Sequence, residues 1–154
     1  MRIGVVSDSH GSIGRLNAIL MAMEAAGPID ALIHLGDGYG DLAALKVPLP
    51  PVYQVAGNCD TFHSDTLNIV TLSGARLMLT HGHYQHVNEG TDDLLEFAVD
   101  ENVHAALYGH THVQKMAWRN GILLLNPGAA NNGQYAILNI NHLGAIDPEL
   151  HTLQ

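Results

Sequence analysis

Histidine, aspartate and asparagine residues recur in five short polar segments of this 154-residue chain. The segments are Asp8-Ser9-His10, Gly36-Asp37, Gly57-Asn58-Cys59-Asp60, His81-Gly82-His83 and Gly109-His110-Thr111-His112. Oxygen and imidazole ligands of this kind suit Mn, Fe, Ni or Zn better than Ca or a structural zinc site. A single aspartate or histidine in a loop is more often a cap or a hydrogen-bonded residue. The recurrence of ligand types in all five segments favours a shared metal site.

Each polar segment follows an apolar run that predicts a buried strand. These runs are Ile3 to Val6, Ala31 to Leu35, Val52 to Ala56, Arg76 to Thr80 and Ala105 to Tyr108. Ser12 follows the first run as an expected helix N-cap, and apolar residues then recur at helical spacing. Strands separated by helices predict a parallel sheet whose ligands bind beyond the carboxyl ends of the strands. The polar segments should therefore converge there.

The second half of the chain favours hairpins. Ser73-Gly74 and Asn120-Gly121 are two-residue turn signals, and each separates two strand-like runs. A second helix is expected after Thr91, with Leu95, Ala98 and Val99 on its apolar face. The run from Tyr135 to Ile140 predicts a closing strand. We therefore predict an α/β sandwich of two packed mixed β-sheets flanked by helices, in the layer order αββα.

The charge and cysteine content exclude several classes of protein. The formal charge is −9, from 15 acidic and six scattered basic residues, so no basic patch is available to follow a long nucleic acid. An acidic protein that handles phosphates needs bound cations to reverse the local field. Cys59 is the only cysteine, which excludes an internal disulfide and indicates a reducing compartment. No signal-peptide core or run of ~18 apolar residues is present, so we expect no membrane association and a cytoplasmic location.

The five segments, in their order and approximate spacing, resemble the signature of calcineurin-like metallophosphoesterases. The short chain and its Gly57-Asn58-Cys59-Asp60 segment are similar to the small YfcE-like bacterial and archaeal branch of phosphodiesterases. Asn126-Pro127-Gly128 resembles a later loop of that branch, to which we assign a supporting role. The resemblance covers nearly the whole chain and implies a single domain over residues 1–154.

The resemblance implies two divalent metal ions per chain, with Mn first and Ni, Fe, Zn or Mg as other possibilities. One ion would be held by Asp8, His10, Asp37 and His112, and the other by Asp37, Asn58, His81 and His110, with Asp37 as the bridge. A carboxylate between two cations offsets their repulsion. The extended i, i+2 spacing of His110 and His112 would point both imidazoles the same way, one towards each ion. The ions would activate a water to hydroxide that attacks a small phosphate ester.

Two residues beside the expected ligands, Cys59 and His83, have alternative roles. Cys59 stands where many relatives have a histidine that protonates the leaving group, and a neutral thiol is a weak donor. His83 either contacts the substrate or is an ordinary surface histidine. The segments 62–66 and 84–90 are expected to shape the pocket.

The main alternative function is that of a Vps29-like interaction scaffold that binds metal without turnover. A nuclease acting on long DNA or RNA ranks third because of the acidic charge. Relatives are often dimers or tetramers, so the resemblance also allows a homodimer or homotetramer.

Overall fold

The computed structural model describes residues 1–61 and 65–154, and its first half alternates strands with one long helix. The elements are β1 (Arg2–Val6), α1 (Ile13–Ala25), β2 (Ala31–His34) and β3 (Val52–Gln54). β1 pairs with β2 and β2 with β3, in both cases parallel. Parallel pairing brings the carboxyl ends of these three strands to one edge, as the sequence predicts.

The second half supplies a second sheet and returns two strands to the first. Its elements are β4 (Leu67–Leu72), β5 (Ala75–Thr80), α2 (Asp92–Asp100), β6 (Ala105–Leu107), β7 (Lys115–Arg119), β8 (Ile122–Asn126), β9 (Gln134–Ile140) and β10 (Ile146–Thr152). The strand order is β10-β9-β1-β2-β3 in one sheet and β4-β5-β6-β8-β7 in the other. Both sheets mix parallel and antiparallel pairs, and both predicted hairpins, β4–β5 and β7–β8, are present.

The two sheets pack face to face, and one helix covers each outer face. Buried side chains such as Val5, Leu77 and Leu107 form the core between the sheets. Leu16 of α1 packs on the outer face of the first sheet, and Leu94 of α2 packs on that of the second. The continuous apolar runs of the central strands require this arrangement, because both faces of these strands are buried. The predicted αββα sandwich is confirmed.

Three details differ from the sequence expectation. A short 3-10 turn at Leu42–Ala44, rather than an α-helix, lies between β2 and β3. The run ending at Ile140 does not close the sheet, since β9 lies between β1 and the unpredicted edge strand β10. Val99 is 50% exposed, so α2 turns Leu94 and Ala98, and not Val99, towards the core. No helix within the described ranges is long and apolar enough to cross a membrane.

Candidate metal centre

The loops after β1, β2, β3, β5 and β6 meet at one end of the sandwich, and they carry the candidate ligands. In the first cluster, Oδ1 of Asp8 lies 3.1 Å from Nε2 of His112 and 3.7 Å from Nε2 of His10. The two histidine Nε2 atoms are 3.3 Å apart. Donor atoms of all three residues therefore surround one point that could hold a cation.

A second cluster adjoins the first. Oδ2 of Asp37 lies 3.2 Å from Nε2 of His81, which in turn is 3.2 Å from Nδ1 of His110. The clusters are joined by contacts of 3.8 Å from Asp37 Oδ2 to His10 Nε2 and from Asp8 Oδ1 to His81 Nε2. Asp37 thus borders donor atoms of both clusters, which is the position a bridging carboxylate requires.

The carboxylate of Asp8 is fully buried and only half satisfied. Its Oδ2 accepts hydrogen bonds from the Ser7 hydroxyl (2.6 Å) and the His110 backbone N–H (3.1 Å). Its Oδ1 accepts none from the described residues and faces His10 and His112. An unsatisfied charged oxygen in the interior is costly, and a cation at this point would remove the cost. The donor set and this oxygen both fit a metal ion.

The ligand side chains are oriented by their outer hydrogen bonds. Nδ1–H of His81 donates to the carbonyl of Leu35 at 2.8 Å, which turns Nε2 towards the carboxylates. Oδ1 of Asp37 accepts the backbone N–H of Cys59 at 2.8 Å, which turns Oδ2 towards His81. Such partners fix the tautomer of a metal-binding imidazole and the direction of a carboxylate.

The electrostatics of the centre reflect two carboxylates enclosed with imidazoles. Burial by itself raises the pKa of Asp37, but hydrogen bonds from His81 and the Cys59 backbone bring it well below its usual value. Burial by itself lowers the pKa of His81, but Asp37 and Asp8 raise it above its usual value. The carboxylates thus favour positive charge beside them, whether a proton on His81 or a metal ion.

Asp60 holds the loops that carry two of the candidate ligands. Its carboxylate accepts the backbone N–H groups of Asp37 (2.8 Å), Gly38 (2.9 Å), Tyr39 (3.1 Å) and Gly57 (2.7 Å). Burial opposes ionisation, but these four bonds outweigh it and lower the pKa of Asp60. The sequence analysis gave Asp60 no role of its own. An aspartate three residues after a glycine in a loop could have indicated a side chain that binds backbone N–H groups.

A chain of hydrogen bonds, buried at His34, connects the loop of His10 to the loop after β2. The Gly36 N–H donates to Nδ1 of His34 (3.1 Å), so Nε2–H donates to Ser9 Oγ (2.8 Å). The Ser9 hydroxyl donates to Asp41 (2.6 Å), which also accepts the Gly11 N–H (2.8 Å). Burial outweighs the nearby carboxylates and lowers the pKa of His34 to about 4. His34, which the sequence left without a function, is a neutral structural residue here.

The candidate ligands are concentrated in left-handed backbone. Positive φ angles occur at Asp8 (54°), His10 (46°), Asp37 (56°), His110 (73°) and His112 (62°). A non-glycine residue in this region costs on the order of 1 kcal/mol or more and persists where the surroundings demand it. The expected extended spacing of His110 and His112 was therefore wrong. A tight turn rather than an extended segment directs His112 to the first cluster and His110 to the second.

Glycines allow the loops to approach one another closely. A Cβ on Gly57 would overlap Oδ1 of Asp37, and a Cβ on Gly109 would overlap the Ser7 hydroxyl. Asn126 supports the same region, since its Nδ2 donates to the Gly109 carbonyl (3.1 Å) and its Oδ1 accepts the Gly128 N–H (2.9 Å). These contacts agree with a supporting role for the 126–128 loop.

The remaining candidates line the solvent side of the centre. Asn58 and Cys59 are exposed, with the amide of Asn58 3.8 Å from the thiol. His83 is half-buried, and its pKa is lowered by burial and by His81 and His110.

The thiol and one further residue complete this side of the centre. Partial loss of hydration at the thiol and the nearby Asp37 carboxylate raise the pKa of Cys59, although the residue as a whole is exposed. Asn88, which sequence reasoning missed, places Nδ2 3.0 Å from Nε2 of His110. Of the segments expected to shape the pocket, residues 62–64 lie outside the described ranges.

Comparison with known proteins places this centre in a family. Residues 1–142 match the calcineurin-like phosphoesterase superfamily domain. Phosphodiesterase YfcE of Escherichia coli is 29% identical over 176 residues, covering 95% of this chain and 91% of YfcE. A probable metallophosphoesterase of Methanocaldococcus jannaschii is 28% identical over 131 residues, covering 84% of this chain and 68% of that protein.

Solved structures show the same fold. A predicted phosphoesterase from Streptococcus pneumoniae superposes with a TM-score of 0.75 and 26% identity, covering 98% of this chain and 88% of that one. Entamoeba histolytica Vps29, solved with zinc, superposes with a TM-score of 0.73 and 18% identity over 99% of each chain, a likeness of fold alone. The architecture, the convergent imidazole and carboxylate loops and the match over residues 1–142 agree. The chain therefore belongs to the calcineurin-like phosphoesterase superfamily.

Proposed function

We propose that this protein is a metal-dependent phosphodiesterase that hydrolyses a small phosphate ester at a dinuclear centre. The observation that carries the proposal is the pair of adjoining clusters, with Asp37 between them and an unsatisfied buried oxygen on Asp8. A one-metal structural site would not need two sets of donors with a carboxylate between them. Phosphodiesterase relatives cover most of the chain and support this substrate class.

The proposed ligand sets extend the two clusters by a shared Asp37 and by Asn58, which belongs to neither cluster. Asp8, His10, Asp37 and His112 would hold one ion, and Asp37, Asn58, His81 and His110 would hold the other. Mn is our first choice, with Ni, Fe, Zn or Mg as other candidates. When bound, the two ions supply Lewis acidity that acidifies water to hydroxide and offsets charge on the phosphoryl group.

The protein side chains then position the reacting groups. Asp37 and Asp8 hold the centre negative enough to retain two cations, and His10, His81, His110 and His112 must be neutral to ligate. His83 faces the same cluster, and its lowered pKa makes it a neutral hydrogen-bonding partner for phosphate and a poor proton source at neutral pH.

Proton delivery to the departing oxygen is the weak point of this centre. Cys59 is protonated at neutral pH, but a thiol is a poor hydrogen-bond donor. Water would then have to protonate the departing oxygen. The site is therefore best suited to esters whose leaving group is stable as an anion.

The remaining features favour a small substrate and a single catalytic unit. The chain is acidic and its six basic residues are scattered, so a long phosphate backbone has no surface to follow. We propose one catalytic domain over residues 1–154. The lone Cys59 favours the reducing conditions of the cytoplasm.

The test is a hydrolysis screen on chelator-stripped protein reloaded with each candidate metal. Aryl phosphodiesters, cyclic nucleotides and phosphomonoesters are compared, with metal content measured in parallel. Asp8→Asn should reduce metal affinity and kcat/KM by more than the 10–100-fold typical of an outer hydrogen-bonding partner. Asp100→Asn, at the exposed end of α2, is the matched control and should change neither.

The competing function predicts a different result. Two ions bound per chain without turnover on any phosphate ester would overturn the proposal and favour a Vps29-like scaffold. Fast hydrolysis of long DNA or RNA over small esters would favour a nuclease.

A further inference from the structure

A third group of donors at this end of the sandwich includes a thiol. The ligand atoms of His10, Asp37 and Cys59 all lie within 4.8 Å of one another. The backbone N–H of Cys59 donates to Oδ1 of Asp37 at 2.8 Å, which holds this residue beside the carboxylate. Cys59 is exposed and is the only cysteine in the chain. The group therefore has three donors, with the thiol on the solvent side.

The thiol changes which cations this end of the site prefers. Thiolate is a soft ligand that binds Zn and Cd strongly, whereas Mn and Mg prefer carboxylate, carbonyl and water oxygens. His10 also lies 3.7 Å, through Nε2, from the buried Oδ1 of Asp8, which has no hydrogen-bond partner among the described residues. A thiophilic cation bound to His10, Asp37 and the thiol would also bring positive charge close to this oxygen.

We propose that His10, Asp37 and Cys59 form an alternative site for a thiophilic divalent cation, Zn or Cd, that competes with the pair of ions needed for hydrolysis. The competition part rests on the function proposed above, whereas the site itself does not. Binding breaks the S–H bond of Cys59, forms a sulfur–metal bond and releases one proton to solvent, with no change in oxidation state.

The competition follows from shared ligands. His10 also belongs to the cluster with Asp8 and His112, and Asp37 also contacts His81. A cation held by the thiol would therefore occupy donor atoms that the pair of ions also needs. A Zn or Cd ion on Cys59 should therefore reduce the number of Mn ions that the same chain binds.

The first experiment uses Cd and the chain's single thiol. Titration of metal-free protein with CdCl2 should produce the ultraviolet sulfur-to-cadmium charge-transfer band, saturating at one ion per chain. The same titration should slow alkylation of Cys59 by iodoacetamide about tenfold once free Cd is roughly ten times its Kd. Mn at saturating concentration should leave the alkylation rate within twofold of the metal-free value.

Variants separate the site from general metal binding. Cys59→Ser should remove the band while Cd still binds the remaining donors. His10→Gln keeps the thiol but should weaken Cd binding about tenfold or more, whereas His142→Gln, at an exposed position outside the centre, should not. Preloading one equivalent of Cd should lower the Mn bound in wild-type protein, measured from the free Mn signal by electron paramagnetic resonance.

Two outcomes would overturn the proposal. Stoichiometric Cd binding without the charge-transfer band would show that the thiol is not a ligand, and equal protection of Cys59 by Mn would show that metal choice does not depend on it. These readouts do not require turnover. A protein that hydrolyses no ester but shows the band would therefore contradict only the proposed function.

Discussion

Replacing Asp60 with asparagine tests whether the metal loops are held by a carboxylate outside the proposed ligand set. Asp60 binds four backbone N–H groups through both oxygens, two on each. Asparagine is nearly isosteric but keeps one oxygen, so its amide NH2 would face two N–H donors. If the side chain keeps the bonds to Gly38 and Tyr39, those from Asp37 and Gly57 are lost.

The expected magnitude follows from the number of bonds. Hydrogen bonds to a charged group are worth about 1.5–3 kcal/mol each, so two lost bonds correspond to at most about 6 kcal/mol. Asp60 is only half-buried, and water can replace part of the loss, so we expect about 2–4 kcal/mol. For a domain of this size that lowers Tm by roughly 5–15 °C. The loops carry Asp37 and Asn58, so metal affinity should also fall about 10–100-fold.

The assay is chemical unfolding of metal-free protein followed by circular dichroism, with Mn affinity measured by calorimetry. The pKa of Asp60 is lowered in the folded state, so its stabilisation is present above the unfolded value of about 3.9 and is lost as pH falls further. The wild-type and Asp60→Asn stabilities should therefore converge in acid. Asp100→Asn is the control, expected within about 0.5 kcal/mol of wild type. An Asp60→Asn protein with wild-type stability and Mn affinity at pH 7 would refute the reasoning.

Three further predictions concern the centre and its surroundings. Asp37→Asn should impair binding of both metal ions and His112→Ala chiefly one, as counted by elemental analysis; two ions retained by Asp37→Asn would exclude a bridge. The pKa of His34 falls to about 4 on folding. Neutral His34 therefore contributes about 3 kcal/mol to the free energy of unfolding above pH 6.5, and this contribution is lost as the pH falls towards 4. His34→Gln should reduce this loss of stability in acid, measured by denaturant titration of metal-free protein. An unchanged loss of stability in the variant would show that other groups cause it. With Cys59 a poor acid, rates should depend steeply on leaving-group pKa, and Cys59→His should favour alkyl diesters by up to the 10²–10⁴-fold typical of acid catalysis. A flat dependence in the unmodified enzyme, with chemistry rate-limiting, would indicate another acid.

The strands of this protein could be predicted from the sequence where apolar runs or turn residues mark them. β1 and β2 are continuous apolar runs because both of their faces are covered, and the hairpins have turn residues that suit few other structures. β10 was not predicted because it is an edge strand in which exposed charged residues alternate with partly buried ones. Such a segment becomes a strand through its pairing with β9, which the sequence around it does not reveal.

The kind of chemistry could be predicted from residue types and their order, since aspartate and histidine after successive strands of an α/β pattern point to a metal site at the strand ends. How those residues meet depends on the packing of the whole chain. The left-handed turns at His110 and His112, the four-amide clamp of Asp60 and the unsatisfied oxygen of Asp8 join segments far apart in the chain. Residue types and spacing indicate only local structure. These contacts form because the two sheets pack face to face with the ligand-bearing loops at the same end.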